Sequence, residues 1–111
     1  MLRHEWRPLG PKATEVTVPC VPSVDLVAID LPDAPVGWVR LKVSVVSADP
    51  QVAGVSLLAA SGQRFRLRKS GQGFDQILLR PAEAGHLEVS GLALSEVHVS
   101  LAPSSPWAAR W

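Results

Sequence analysis

Reactive and aromatic side chains are scarce in this chain of 111 residues, which has one cysteine, four tryptophans, two phenylalanines and no tyrosine. The single Cys20 excludes an internal disulfide, and its surroundings, Val-Pro-Cys-Val-Pro, offer neither a base nor a second thiol to activate it. We therefore expect Cys20 to serve as a small apolar side chain. The few aromatic rings leave little surface for stacking bases, so specific nucleic-acid binding is not expected.

Long apolar runs and targeting signals are also missing. No segment is long and apolar enough to cross a bilayer, and the N-terminal sequence lacks the apolar run of a signal peptide. A cytoplasmic location is therefore the default expectation, unless the chain is a module of a larger protein whose targeting signal lies elsewhere.

No catalytic signature accompanies the polar residues. There is no Gly-x-Ser-x-Gly motif, and the glycine-rich stretch Ser70–Phe74 lacks the ending of a phosphate loop, so we expect a turn there. His86 and Glu88 share one strand parity, as do Glu96 and His98, and the four would form a metal-binding cluster if their strands were neighbours in register. A polar, solvent-facing surface explains the same four residues and requires no particular strand register. We expect no enzymatic activity, no metal site and no cofactor.

The chain does have apolar alternation with a period of two residues. Val39, Leu41 and Val43 alternate with polar residues, and Ser61-Gly62 is placed to close a hairpin. The run Val24–Leu31 has apolar residues on both parities, which predicts a central strand covered on both sides. We expect an antiparallel β-sandwich of about eight strands, over residues 13–18, 23–30, 37–47, 53–60, 63–69, 74–80, 86–90 and 95–101.

The most informative pattern is a comb of three arginines in the strand predicted over 63–69. Arg64, Arg66 and Arg68 alternate with Phe65 and Leu67, so the arginines would form a cationic row on the outer face. Such a row suits an anionic or hydroxyl-rich ligand. Alternatively, the arginines belong to an edge strand, where charged side chains prevent edge-to-edge aggregation. The predicted core consists of Val39, Leu41, Val43, Phe65, Leu67, Leu87, Val89, Val97 and Val99.

A second basic strand face carries Trp38, Arg40 and Lys42, which share one parity. An indole ring packs against a sugar ring, while Arg and Lys donate to hydroxyls or acidic groups. Alternatively, Trp38 plugs the end of the sandwich or lies beneath a terminal arm. If this strand and the arginine comb lie in one sheet, their six outward side chains form a single ligand-binding surface.

The net charge of +1 hides an uneven distribution. Residues 38–80 hold seven basic and two acidic side chains, a net charge of +5, whereas residues 1–37 and 81–111 each have a net charge of −2. We expect acidic residues of the flanks to pair with basic residues of the middle segment within one fold.

The two ends of the chain lack strand patterns. Residues 1–12 and 103–111 are predicted to be irregular arms around a β-sandwich domain spanning 13–102. The C-terminal arm contains Trp107 and Trp111, whose large apolar area is costly to leave in water. We expect both tryptophans to be covered, either by the domain's own sheet or by a docked protein partner.

Four apolar strand patterns, Gly37–Val43, Phe65–Arg68, Phe74–Leu79 and Leu94–Leu101, are separated by short turns. The stretch that contains them resembles the jelly-roll β-sandwich modules, of the carbohydrate-binding or galactose-binding-like type, that accompany bacterial glycan-processing enzymes and glycosyltransferases. This resemblance implies a non-catalytic module for glycan or another polyanion, next to a parent enzyme. The alternative is a structural or assembly domain whose terminal arms dock on a neighbouring chain or domain.

Overall fold

A computed structural model describes residues 6–10, 13–21, 25–32, 35–59, 61–71, 73–80 and 85–105. Within these residues no helix is long and apolar enough to cross a membrane. Their regular structure is all β and forms two antiparallel sheets, which confirms the predicted all-β class. The strands are β1 (Arg7–Gly10), β2 (Ala13–Pro19), β3 (Leu26–Asp30), β4 (Gly37–Val46), β5 (Asp49–Leu58), β6 (Arg64–Arg66), β7 (Lys69–Ser70), β8 (Gly73–Arg80), β9 (His86–Leu92) and β10 (Glu96–Pro103).

The strands pair in a nested order. The six-stranded sheet has the order β1-β2-β10-β4-β8-β7, and the four-stranded sheet has the order β3-β9-β5-β6. Strand β2 pairs with β10, β3 with β9, β4 with β8, and β5 with β6, all antiparallel. The two halves of the chain therefore run alongside each other like the arms of one long hairpin, with the β5-β6 turn at its tip.

Alternation along the strands builds one core between the two sheets. In β4, Val39, Leu41 and Val43 are each no more than 1% exposed, while Arg40 and Lys42 between them are exposed. Leu87 and Val89 from the four-stranded sheet, with Val97 and Val99 from the six-stranded sheet, are also fully buried and join the same cluster. The predicted parity of these strands is confirmed.

The predicted hairpin between β5 and β6 is confirmed. The Ala59 N–H donates to the Gln63 carbonyl at 2.8 Å, and the Gly62 N–H donates to the Ala59 carbonyl at 2.9 Å. Gly62 has a φ of 92°, in the left-handed region that glycine adopts without steric cost. Ser70 pairs with Gly73, and Gly71 lies in a turn, where a turn from β7 into β8 was predicted.

The strands in the described residues number ten, so the prediction of about eight is wrong in two places. Strand β1 lies inside the segment predicted to be an irregular N-terminal arm, where Arg7 pairs with Glu15 and Pro8 with Thr14. Because β1 is the edge of its sheet, Pro8 is tolerated there despite lacking an N–H. The second additional strand arises because the predicted strand 63–69 is divided into β6 and β7.

The chain crosses from one sheet to the other between β6 and β7. The Leu67 N–H donates to the carbonyl of Val55, on the four-stranded sheet, at 2.9 Å. The next residue, Arg68, accepts a hydrogen bond through its carbonyl from the N–H of Asp75, on the six-stranded sheet, at 3.1 Å. Leu67 is 4% exposed, so the crossing is anchored by a buried leucine.

Two burial predictions are wrong, both at sheet edges. Phe65 was expected in the core but is 47% exposed, because β6 is the last strand of the four-stranded sheet and leaves one side of the ring uncovered. The run Val24–Leu31 was expected to be a central strand, yet β3 forms the opposite edge of the same sheet. Its Leu26 is 56% exposed, whereas Ile29 is fully buried.

Replacing Leu41 by alanine should lower the free energy of unfolding by about 2–5 kcal/mol, because it removes buried methyl groups and leaves a cavity. Leu79, at 63% exposure, provides the matched control, and Leu79→Ala should change stability by less than about 0.5 kcal/mol. Urea unfolding followed by tryptophan fluorescence measures both. Equal losses in the two variants would contradict the assignment of faces in the six-stranded sheet.

Candidate binding surface

The arginine comb is divided between the two sheets. Arg64 and Arg66 belong to β6 at the edge of the four-stranded sheet, whereas the Arg68 backbone bonds to β8 of the six-stranded sheet. Trp38, on β4, lies in the six-stranded sheet as well. The condition for a single surface of six side chains is therefore not met. The crossing after Leu67 separates the comb and leaves two groups of basic residues on opposite sheets.

Asp75 is the centre of the basic group on the six-stranded sheet. The Arg40 guanidinium donates through Nε to Oδ1 of Asp75 at 3.1 Å and through Nη2 to Oδ2 at 2.6 Å. Lys42 is the direct cross-strand partner of Asp75, and Arg68 lies beside it on the other side. The Arg40 hydrogen bonds lower the pKa of the Asp75 carboxyl below its ordinary value, and the positive charges of Arg40, Lys42 and Arg68 lower it further.

Asp75 lies among several cations. Its carboxylate is hydrogen-bonded to Arg40, and Lys42 and Arg68 are close enough for their charges to act on it. Asp75 itself belongs to the basic middle segment of the sequence, so the expected pairing with an acidic flank does not occur at Arg40. The outer face of the six-stranded sheet therefore brings Arg40, Lys42 and Arg68 together around this carboxylate.

Trp38 borders the same face. It shares the outward parity of Arg40 and Lys42, is only partly buried, and pairs across the strands with Leu79, which is 63% exposed. Its carbonyl accepts a hydrogen bond from the Ser104 N–H at 2.8 Å, so the backbone that follows β10 passes beside this end of β4. Trp38 is thus positioned to contact a molecule lying along the basic face.

The basic pair on the four-stranded sheet has a different environment. The Arg64 Nη2 donates to Glu88 Oε1 at 2.9 Å, which is a pairing of the basic middle segment with an acidic flank, as expected. The guanidinium of Arg66 lies over Gly54, with Nη2 3.4 Å from the point that a Cβ would occupy there. A side chain at position 54 would therefore contact the Arg66 guanidinium.

The two histidine pairs do not meet. His86 and Glu88 lie on β9 in the four-stranded sheet, while Glu96 and His98 lie on β10 in the six-stranded sheet, so the conditional four-residue cluster is not formed. His98 instead contacts Glu15 on β2, with 2.9 Å between Nε2 and Oε2. The described part of the chain contains no group of three or more His, Cys, Asp or Glu side chains that could hold a metal ion.

Cys20 behaves as a structural residue. It is partly buried and packs against the core, and its thiol lies 3.6 Å from the Val18 carbonyl. Burial raises the pKa of the Cys20 thiol, and the nearby charge of Glu96 raises it further. Because a raised pKa disfavours the nucleophilic thiolate, the geometry agrees with the sequence-based interpretation of Cys20 as a small apolar side chain.

Two features were not found from the sequence. Asp75 was not singled out, because its position opposite Lys42 depends on the register of strands far apart in sequence. Arg80 is only 5% exposed and donates to the carbonyls of Pro32 and Pro35, which fixes the segment before β4. Trp107 and Trp111 lie outside the described residues, so their expected cover stays a prediction.

The lowered pKa of Asp75 predicts a pH dependence of stability. As the pH falls, the unfolded chain takes up a proton at Asp75 near the ordinary pKa of 3.8, before the folded chain does. The stabilisation is therefore complete at neutral pH and is lost as the pH passes below the lowered folded pKa. Between about pH 6 and pH 2.5, the free energy of unfolding should fall by less in Asp75→Asn than in the unmodified chain.

At neutral pH, Asp75→Asn should cost no more than about 1 kcal/mol, because the pair with Arg40 lies near the surface. Urea titrations at several pH values measure both effects. The same acid dependence in the two chains would contradict the assignment of the Arg40–Asp75 contact as a stabilising ion pair.

Comparison with known proteins gives no family assignment. No protein-family model matches the chain, and no curated protein matches it. The resemblance to jelly-roll carbohydrate-binding modules therefore remains a hypothesis that is based on the strand pattern.

Proposed function

We propose that this chain is a non-catalytic binding module for an acidic glycan and that the ligand lies on the outer face of the six-stranded sheet. The site consists of Trp38, Arg40, Lys42 and Arg68. The observation that carries the proposal is the gathering of Arg40, Lys42 and Arg68 around Asp75, on the same face as the partly buried Trp38.

A jelly-roll topology is part of this proposal. In a jelly roll, a long antiparallel hairpin is rolled so that its strands are distributed over two packed sheets. The nested pairs β2-β10, β3-β9, β4-β8 and β5-β6 have the order that such rolling produces. In this interpretation β1 and β7 are additions at the two edges of the six-stranded sheet.

The chemistry of the face suits carboxylate or sulfate groups on a sugar chain. Arginine presents a planar fork that bonds two oxygens of a carboxylate, and lysine supplies a compact charge. Trp38 and Lys42 are four residues apart on one strand, which corresponds to about 13 Å. That length accommodates an oligosaccharide with one ring on the indole and acidic groups near the cations.

The alternative of an assembly domain relies on the terminal arms. Its named anchors, Trp107 and Trp111, lie outside the described residues, so no contact among the described residues favours that function over ligand binding. The acidic-glycan proposal has a located surface, and we therefore prefer it.

The proposal is tested by two double variants with the same chemistry on opposite sheets. Lys42→Gln with Arg68→Gln should weaken binding to a heparin column about tenfold or more, because it removes two charged donors. The matched control, Arg64→Gln with Arg66→Gln, should elute at nearly the salt concentration of the unmodified chain. Thermal unfolding of both variants verifies that the fold is retained.

Trp38→Ala separates stacking from charge. It should reduce affinity for an acidic oligosaccharide more than affinity for inorganic polyphosphate, which has no ring to pack on the indole. Unchanged elution of the Lys42 and Arg68 variant would exclude this face as the site. A loss confined to the Arg64 and Arg66 variant would assign binding to the four-stranded sheet and would overturn the proposal.

A further inference from the structure

One side of the sandwich is open along β8. Strand β7 pairs only with Phe74 and Gly73, and the bond from Asp75 N–H to the Arg68 carbonyl continues that ladder by one residue. Beyond it, residues 76–80 of β8 have no neighbouring strand on that side among the described residues. Because N–H and C=O groups alternate in direction along a strand, Ile77 and Leu79 direct theirs toward this open edge, as Asp75 does. The Ile77 carbonyl also accepts a hydrogen bond from the Gln76 side-chain amide at 3.3 Å.

An apolar crevice lies beside the open edge. It is lined by residues of both sheets, including Leu57 and Phe65 from the four-stranded sheet and Leu78 and Leu79 from the six-stranded sheet. The ring of Phe65 is 47% exposed at the crevice, and the side chain of Leu79, on the outer face of β8, is 63% exposed. A free strand edge next to an apolar crevice is the combination that peptide-binding β-domains use.

The charge around the open side is positive. Residues 61–71, which form β6, the crossing and β7, contain Arg64, Arg66, Arg68 and Lys69 and no acidic residue. Arg40 and Lys42, which lie beside Asp75, are on the adjacent part of the six-stranded sheet. Arg80 at the crevice is engaged with the carbonyls of Pro32 and Pro35, which leaves the floor of the crevice to apolar contacts.

We propose that the open side docks an extended peptide segment of a partner protein, with an apolar side chain in the crevice and acidic side chains next to the arginines. The peptide would add to the six-stranded sheet beside β8. Its residues opposite Ile77 and Leu79 would exchange backbone hydrogen bonds with them and point their side chains outward, toward the basic face. Its residue opposite Leu78 would point inward, into the crevice.

Charge favours this occupant over a second copy of the chain. In a dimer formed by antiparallel pairing of β8 with β8, each copy would contribute residues 61–71, which carry four cations and no acidic residue of their own, with Arg64 paired to Glu88. That arrangement is repulsive, whereas an acidic strand meets complementary charge. This inference concerns a different ligand class and a different element from the glycan site, and it does not depend on glycan binding.

The test uses the blocked peptide acetyl-Val-Glu-Leu-Glu-Val-amide and the full chain labelled with ¹⁵N. Addition of the peptide should shift the backbone amide resonances of Ile77 and Leu79 and slow their exchange with deuterium. The same peptide methylated at both glutamate nitrogens, which cannot donate to the edge, should bind at least tenfold more weakly. The version of the peptide with lysine in place of both glutamates should also bind at least tenfold more weakly.

Variants of the chain locate the site. Leu79→Pro removes an edge N–H that points away from β4 and should abolish the binding. Phe65→Asp, which places a carboxylate at the crevice, should weaken binding at least tenfold. Leu92→Asp is the matched control, because Leu92 is 53% exposed and lies on β9, paired with Asp49 at the end of β5 remote from β6. It should bind as the unmodified chain does.

Three results would overturn the proposal. The first is that the methylated peptide or the lysine peptide binds as strongly as the original peptide. The second is unchanged binding by both Leu79→Pro and Phe65→Asp. The third is a concentration-dependent dimer of the free chain in sedimentation that Leu79→Pro abolishes, because the occupant would then be a second copy.

Discussion

The passage of the chain between the two sheets at Leu67 and Arg68 determines where both candidate surfaces lie. Leu67 is held by the Val55 carbonyl and by burial, and the following residue bonds to Asp75 on the other sheet. This single step leaves Arg64 and Arg66 on one sheet and brings Arg68 to the group around Asp75. It also ends β6 after three residues, beside the half-exposed ring of Phe65, and limits β7 to pairing with Gly73 and Phe74 at the start of β8.

The crossing is supported by the packing on either side of it. Strands β4, β10 and β9 alternate strictly, and their inward side chains form a core that is nearly inaccessible to water. That core fixes the two sheets relative to each other, so outward residues are held in defined positions. The proposed binding surface therefore consists of side chains that contribute little to stability themselves but stand on a rigid support.

The sequence was sufficient for strands with clean alternation. Residues 37–47 were predicted and β4 spans Gly37–Val46, with the predicted faces. It was not sufficient where an element lies at an edge. Parity places Phe65 on the inner face, opposite the buried Leu57, but parity does not reveal that no strand covers it. The same limit applies to Leu26, whose apolar side chain is exposed on the edge strand β3.

The candidate site was predicted in part, for a related reason. The outward direction of Arg40 and Lys42 follows from alternation, whereas the ion pair with Asp75 requires the register of β4 against β8. The division of the comb requires knowing that a strand of alternating residues changes sheets within its length. Local pattern carries no information about either, because both are set by partners distant in sequence.

The crossing assigns Arg68, and not Arg64 or Arg66, to the face proposed to bind ligand. NMR titration of the arginine side-chain Nε resonances with a heparin hexasaccharide tests this assignment most directly. The resonances of Arg40 and Arg68 are expected to shift together, while those of Arg64 and Arg66 stay unchanged. Equal shifts of Arg64, Arg66 and Arg68 would show that the three arginines act as one surface, despite their division between the two sheets.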